Sequence, residues 1–193
     1  MYYINIIIVA IFLSSCASTS NVGTKNSSEI SPLTQSDAEI KQYSTAIALL
    51  NKQNFEEAKK IFVKFTEQRP ELAGPYVNLA IIAVENNDSQ EAFKLVNTAL
   101  DKNPNLAQAL NLLGFLEQEQ GKILQAEKHY LDAIKNKSNY ALAHYNIALL
   151  YDVYLQDINK AVIHYEKYMS LTNNKDKKTA DWLEHLKSSK VNG

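Results

Sequence analysis

The chain has 193 residues, a formal net charge of −1, 46% hydrophobic residues and 21% charged residues. That balance excludes a wholly disordered chain, and near-neutral charge with Arg69 as the one arginine leaves no electrostatic footprint for nucleic acid. Five glycines and four prolines are few for an all-β chain, which needs many tight turns, and a single cysteine excludes a disulfide framework.

The first fifteen residues carry no charged side chain. Residues 4 to 13 are almost wholly aliphatic, and ten residues at about 1.5 Å rise reach only about half of a hydrocarbon core. The stretch is too short to span a membrane as a helix and has the length of a signal-peptide core. It runs into Leu13-Ser14-Ser15-Cys16-Ala17, which resembles the lipobox of bacterial lipoproteins at all four positions. The leader departs from that family in having no Lys or Arg in Met1-Tyr2-Tyr3. The resemblance implies cleavage before Cys16, acylation of its thiol, and an anchor of two or more acyl chains. Ala17, where an aspartate favours retention in the inner membrane, implies an outer-membrane anchor facing the periplasm of a Gram-negative bacterium. The other reading of the same residues is an apolar helix packed in a core, with Cys16 a chance thiol. Residues 17 to 36 are rich in Ser, Thr and Asn, show no hydrophobic period, and read as a flexible tether.

Beyond residue 36 the chain repeats itself. Ala58, Ala92 and Ala126 are spaced by 34 residues, as are Ala46, Ala80, Gly114 and Ala148, and as are Pro70 and Pro104. A helical pattern with this period resembles the tetratricopeptide repeat, a helix–turn–helix unit. Numbered within each repeat, the family's small residue at position 8 falls on Ala46, Ala80, Gly114 and Ala148. Its alanine at position 20 falls on Ala58, Ala92 and Ala126, and its bulky residue at position 24 on Phe62, Val96 and Tyr130. The fourth repeat needs one inserted residue near Leu155 to Asn159 to bring Ala161 and Tyr165 into register. The resemblance implies an all-α, right-handed solenoid of about four repeats. The expected organisation is an export segment over 1–15, the lipidated cysteine and tether over 16–36, and repeats over 39–72, 73–106, 107–140 and 141–174 within a domain 37–174. A capping helix and tail fill 175–193, where Trp182, Leu183 and Leu186 share an apolar face.

Candidate chemistry is sparse. No nucleophile, phosphate-binding or dinucleotide motif is present. His129, His144, His164 and His185 lack metal-ligand spacing and read as partly exposed structural histidines. Glu56, Glu57, Glu117 and Glu119 read as solvated surface charge. These features predict no enzyme, no metal and no cofactor.

The informative surface is the one the family resemblance assigns to the first helices, whose positions 2, 5, 6, 9, 12 and 13 line a concave groove. From that lining the partner-binding candidates are Tyr43, Ile47, Val77, Asn78, Ile81, Asn111, Phe115, Tyr145, Asn146 and Leu149. The lining is apolar, aromatic and amide-bearing, with a slightly acidic edge and no Lys or Arg, so the basic clamp of carboxylate-binding relatives is absent. Asn78 and Asn146 share position 6, where amides in some relatives hold an extended peptide backbone, and Leu112 interrupts that ladder. The expectation is a groove for an apolar or amphipathic protein segment. The alternative is a groove filled by the chain's own cap or by a second copy in a homo-oligomer. Together these readings imply a membrane-anchored scaffold for assembly of an envelope complex such as a type IV or Tad-type pilus. The alternatives are an adaptor for peptidoglycan or polysaccharide machinery, or an accessory domain of an envelope enzyme.

Overall fold

The computed structural model describes residues 37–191. The export segment, Cys16 and the tether therefore lie outside the described residues. Helices α1 (Asp37–Asn51) and α2 (Phe55–Gln68) are followed by α3 (Ala73–Glu85), α4 (Ser89–Lys102), α5 (Ala107–Glu119) and α6 (Ile123–Asn136). Then come α7 (Ala141–Leu149), a π-helical turn (Leu150–Leu155), α8 (Ile158–Leu171) and α9 (Lys177–Val191). Among the described residues there is no strand. The architecture is an all-α series of helix–turn–helix repeats.

Two compact units divide after Ile61. The first, within the described residues, holds α1 and the start of α2. Its turn is closed by the Asn54 amide donating to the Leu49 carbonyl at 2.9 Å, with Gln53 at a φ of 61°. Ala46 and Ala58 are fully buried in it.

The second unit, from Phe62 onward, repeats that turn. Asn87, Gly121 and Gln156 take left-handed backbone conformations with φ of 59°, 73° and 54°. The residue after each reaches back to a carbonyl near the end of the first helix: Asp88 to Ala83 at 2.8 Å, Lys122 to Glu117 at 2.9 Å, Asp157 to Tyr151 at 2.9 Å. These bonds satisfy carbonyls that the helix leaves unpaired. Asp88 and Asp157 then cap the second helices, accepting from the amides of Glu91 and Lys160 at 3.0 and 3.1 Å. Lys122 occupies the same place in the third repeat without a side-chain cap.

Asp88 and Lys122 each bond five residues back, whereas Asp157 bonds six residues back. The extra residue of the fourth repeat is thus absorbed in the π turn Leu150–Leu155, upstream of most of the stretch where the sequence pattern placed it. A π turn widens one ring of the helix without breaking it. Gln156 and Asp157 keep their roles, and Ala161 and Tyr165 arrive buried in the core.

Core residues are shared between neighbours. Ala80, Ala83, Ala92 and Val96 of the second repeat cluster with Leu113 and Leu116 of the third. Ala107, Leu110 and Ala133 of the third cluster with Ala143 of the fourth, around Tyr140. The last cluster joins Ala126 and Tyr130 to Ile147, Ala148, Tyr165 and Tyr168, and is closed by Leu183 and Leu186 of α9. Within the second unit no hairpin covers its own apolar face, so each depends on the element that follows.

Within a repeat the helices meet at the small residue. A Cβ built on Gly114 lies 2.9 Å from Cδ1 and Cε1 of Tyr130 and 3.2 Å from the Ala126 carbonyl oxygen. Tyr130 is fully buried and its hydroxyl donates to Oε1 of Gln118 at 3.1 Å, so the ring has nowhere to retreat. Burial also pushes its phenol pKa upward, keeping it a protonated donor. Gly114→Ala should therefore cost about 1–3 kcal/mol from overpacking, only partly offset by the ~1 kcal/mol helical preference of Ala over Gly. Denaturant titration followed by circular dichroism should show a lower midpoint. Adding Tyr130→Val, the size combination of Ala80 and Val96, should make the alanine less costly than in the wild-type background; strictly additive effects would contradict the contact.

Candidate interaction surface

The first helices of the second unit, α3, α5 and α7, place the candidate residues in three distinct environments. Val77 is buried at 4% exposure against Ala99 and Ala109. It belongs to the inter-repeat core and not to an open lining, because the next repeat's first helix covers it. Asn78 is likewise buried, and Ile81 is half-buried at the edge of the same cluster.

Asn111 and Asn146 are joined. The Asn146 Nδ2 donates to the Asn111 Oδ1 at 3.1 Å. The amide pair thus connects position 5 of the third repeat with position 6 of the fourth, where the sequence pattern paired Asn78 with Asn146 across a gap at Leu112. Leu112 packs instead against the two clusters below it. A bonded amide pair holds α5 and α7 in fixed register, since a buried amide without its partner carries a desolvation cost of about 1–3 kcal/mol.

Phe115 and Tyr145 are half-buried rather than freely presented. Phe115 packs against both the second-to-third and the last core cluster. The Tyr145 ring meets Tyr165 edge-on at 6.0 Å and Tyr168 at 5.0 Å. Burial raises the pKa of all three phenols, so they remain neutral. Leu149, the last residue of α7, is half-buried. Tyr43 and Ile47 lie half-buried on α1 in the first unit. Cys16 lies outside the described residues.

The histidines depart most from the sequence reading. His144 on α7 is buried at 6% exposure, and its Nδ1 is 3.0 Å from Nδ1 of His164 on α8. Its Nε2 lies 3.1 Å from the Ser138 carbonyl oxygen, which only accepts. Nε2 therefore carries the proton, and His144 Nδ1 accepts from the Nδ1–H of His164. The His164 ring in turn stacks on Tyr151 at 5.8 Å, and Tyr151 donates to Glu127 Oε1 at 2.7 Å. His129 is also engaged, its Nδ1 2.6 Å from Glu117 Oε2. Glu117 is thus a partly buried partner and not a solvated charge. Sequence spacing hid both contacts, because each crosses the two helices of a hairpin. The signal was available in the repeat register: His129 and His164 hold equivalent places on the second helices, each facing a polar residue on the first.

The His pair makes stability depend on pH. Burial lowers the pKa of His144; burial, the neighbouring His144 and Lys160 lower that of His164 from 6.5 to about 4. Between those values the unfolded chain binds more protons than the folded chain, so stability is full above about pH 6.5 and falls as the pH drops toward 4. The denaturation midpoint should be lower at about pH 5 than at about pH 7. His164→Asn, whose amide still donates to His144 Nδ1, should shrink that difference. An undiminished difference in the variant would locate the pH dependence elsewhere.

The tetratricopeptide repeat family model matches residues 43–107, 77–140 and 141–175. The chain is 36% identical over 77 residues to the uncharacterized protein ycf37 of Pyropia yezoensis, a match spanning 39% of this chain and 43% of that relative's length. Among solved structures it resembles PilF of Pseudomonas aeruginosa, with a TM-score of 0.69 and 21% identity over 81% of this chain and 70% of that one. It also resembles a thermophilic tetratricopeptide repeat protein of Thermus thermophilus, TTC0263, with a TM-score of 0.64 and 17% identity over 77% and 80% of the two chains. A third likeness is YrrB, described as having an unusual peptide-binding site, with a TM-score of 0.54 and 20% identity over 78% and 75%. At these identities the structural likenesses speak to fold alone. The family match over the repeats, the recurring left-handed turn and the shared cores lead to one conclusion: the chain belongs to the tetratricopeptide repeat family.

Proposed function

We propose that this protein is a lipid-anchored scaffold that holds a segment of a protein partner against the first helices of its repeats, in assembly of a cell-envelope complex such as a type IV or Tad-type pilus. Protein–protein interaction is the general use of this repeat family. The observation that carries the reading is the makeup of the first-helix face in the second unit. It combines half-buried apolar side chains (Ile81, Leu112, Phe115, Leu149) with the bonded Asn111–Asn146 amides and has no basic clamp. Apolar anchors with a few fixed amides suit an extended segment. The likeness to PilF supports the pilus setting, and the peptide-binding site ascribed to YrrB supports a peptide-like occupant.

Anchoring rests on Leu13-Ser14-Ser15-Cys16 and the polar stretch after it. A dual acyl anchor with a tether of about twenty residues and a reach of roughly 25 Å would keep the repeats near the membrane and raise the effective concentration of a membrane-bound partner. The face is expected at the outer membrane, on the periplasmic side.

Two measurements test this reading. Wild-type protein grown with labelled palmitate should carry the label and sediment with membranes, while Cys16→Ser should do neither; an unlabelled wild type would refute the anchor. Tyr145 is a poor probe of binding because it packs on Tyr165 and Tyr168. Leu149→Ser is better suited and should weaken capture of the partner from detergent-solubilised membranes by about tenfold with unchanged circular dichroism. Undiminished capture would remove this face from the account.

A further inference from the structure

The ends of the repeats separate charge. α3, α5 and α7 have no basic residue in their last turns, whereas α4 and α6 carry Lys102 and Lys135 there; α8 of the fourth repeat has none. The C-terminal end of a helix carries the negative pole of its dipole and ordinarily attracts cations. Here those poles are reinforced by acids: Glu85 closes α3, Glu119 closes α5, and Asp152 follows α7 in the π turn. The turns beyond add Asp88 and Asp157 against one lysine, Lys122. None of the ion pairs among the described residues uses Glu85 or Glu119.

Aromatic side chains stand at the same end. The residue inserted in the fourth repeat makes the π turn, and the turn leaves Val153 and Tyr154 exposed at 45% and 44%. Trp182 of α9, also 44% exposed, donates from Nε1 to Asp152 Oδ2 at 2.7 Å, and the Tyr165 hydroxyl donates to the same oxygen at 3.3 Å. Burial first, and then the nearby Glu119, Tyr154 and Glu117, raise the pKa of the Tyr130 phenol, whose hydroxyl bonds to Gln118 near the end of α5. Elsewhere the chain's tyrosines already take lysines: Lys102 over Tyr76, Lys137 over Tyr140 and Lys160 over Tyr151, at 4.9, 5.5 and 4.7 Å. Among the described residues no such lysine covers Tyr154 or Trp182. Exposed aromatic faces beside carboxylates are suited to a cationic side chain.

We propose that the first-helix face of the second to fourth repeats takes a basic, extended protein segment. Its Lys or Arg side chains lie against Glu85, Glu119, the bonded Asp152–Trp182 pair and exposed Tyr154, and its apolar residues meet Leu149 and Phe115. The assignment rests on the reading of this face as a peptide site and adds the chemistry of the occupant. A segment bearing carboxylates would face repulsion at Glu85, Glu119 and Asp152.

Trp182 is the chain's one tryptophan, so its emission reports on the bonded Asp152–Trp182 pair directly. Random short peptides displayed on phage are selected on the full-length protein, and enriched sequences are synthesised without tryptophan and titrated. The expected result is enrichment of Lys- and Arg-bearing peptides that shift Trp182 emission and bind more weakly as salt is raised. The Glu85→Gln, Glu119→Gln double variant, in which both changes are isosteric, should weaken binding by about fivefold or more. Tyr154→Ala, at an exposed position, should also weaken it. Enrichment of neutral or acidic peptides that bind without salt dependence would overturn the basic occupant while leaving a peptide site in place. No enrichment, or scattering that shows a dimer whose formation Leu149→Ser abolishes, would overturn both, the latter outcome making a second copy the occupant.

Discussion

The close approach of two helices at a small residue sets the geometry of every repeat. At Gly114 the approach is tight enough that a methyl group would press on Tyr130, and the same place is held by fully buried Ala80 and Ala148 in the neighbouring repeats. Helices that close leave no space between them for side chains other than the bulky residue beside the contact. The remaining apolar residues must point outward, toward the next repeat. Stability is therefore distributed along the chain as a series of interfaces, and α9 ends the series by burying Leu183 and Leu186 against the fourth repeat.

This arrangement tolerates little change in spacing, which gives the π turn its importance. One extra residue in a rigid period would rotate every later side chain by a large angle and expose Ala161 and Tyr165. The chain confines the excess to a single wide turn before Gln156, and the second helix resumes in register. The cost is a local bulge that exposes Val153 and Tyr154. That bulge, joined by Trp182, gives the last repeat a surface its predecessors lack. A device that preserves the core thus also changes what the acidic end offers to a partner.

The fold was legible in the sequence because its signal is periodic. Small residues at one place, alanines at another and turn-forming residues between them recur at a constant interval, and a hairpin that obeys the interval has few alternatives. The site was less legible. Family positions identified a face, but position alone cannot say how far a neighbour covers a side chain. Val77 became core because Ala109 of the next first helix lies over it, and Asn111 became a fixed partner of Asn146 because α7 is offset by one position. The His144–His164 pair and the His129–Glu117 contact are products of helix-to-helix packing, to which spacing along one helix is blind. Acidity at the ends of the first helices was visible residue by residue, but its meaning depended on seeing which lysines are placed elsewhere.

The first helices, and not the second, are the ones proposed to present the interaction surface. The two faces offer a fair contest, since Leu124 on α6 is 70% exposed and has greater apolar exposure than half-buried Leu149 on α7. Exposure alone would favour Leu124; a formed site with anchors, amides and charge would favour Leu149. Photo-crosslinking in intact membranes, with a benzophenone amino acid placed at one position or the other, separates the two. Adducts are expected from position 149 and none from position 124; adducts from position 124 alone would contradict a first-helix site.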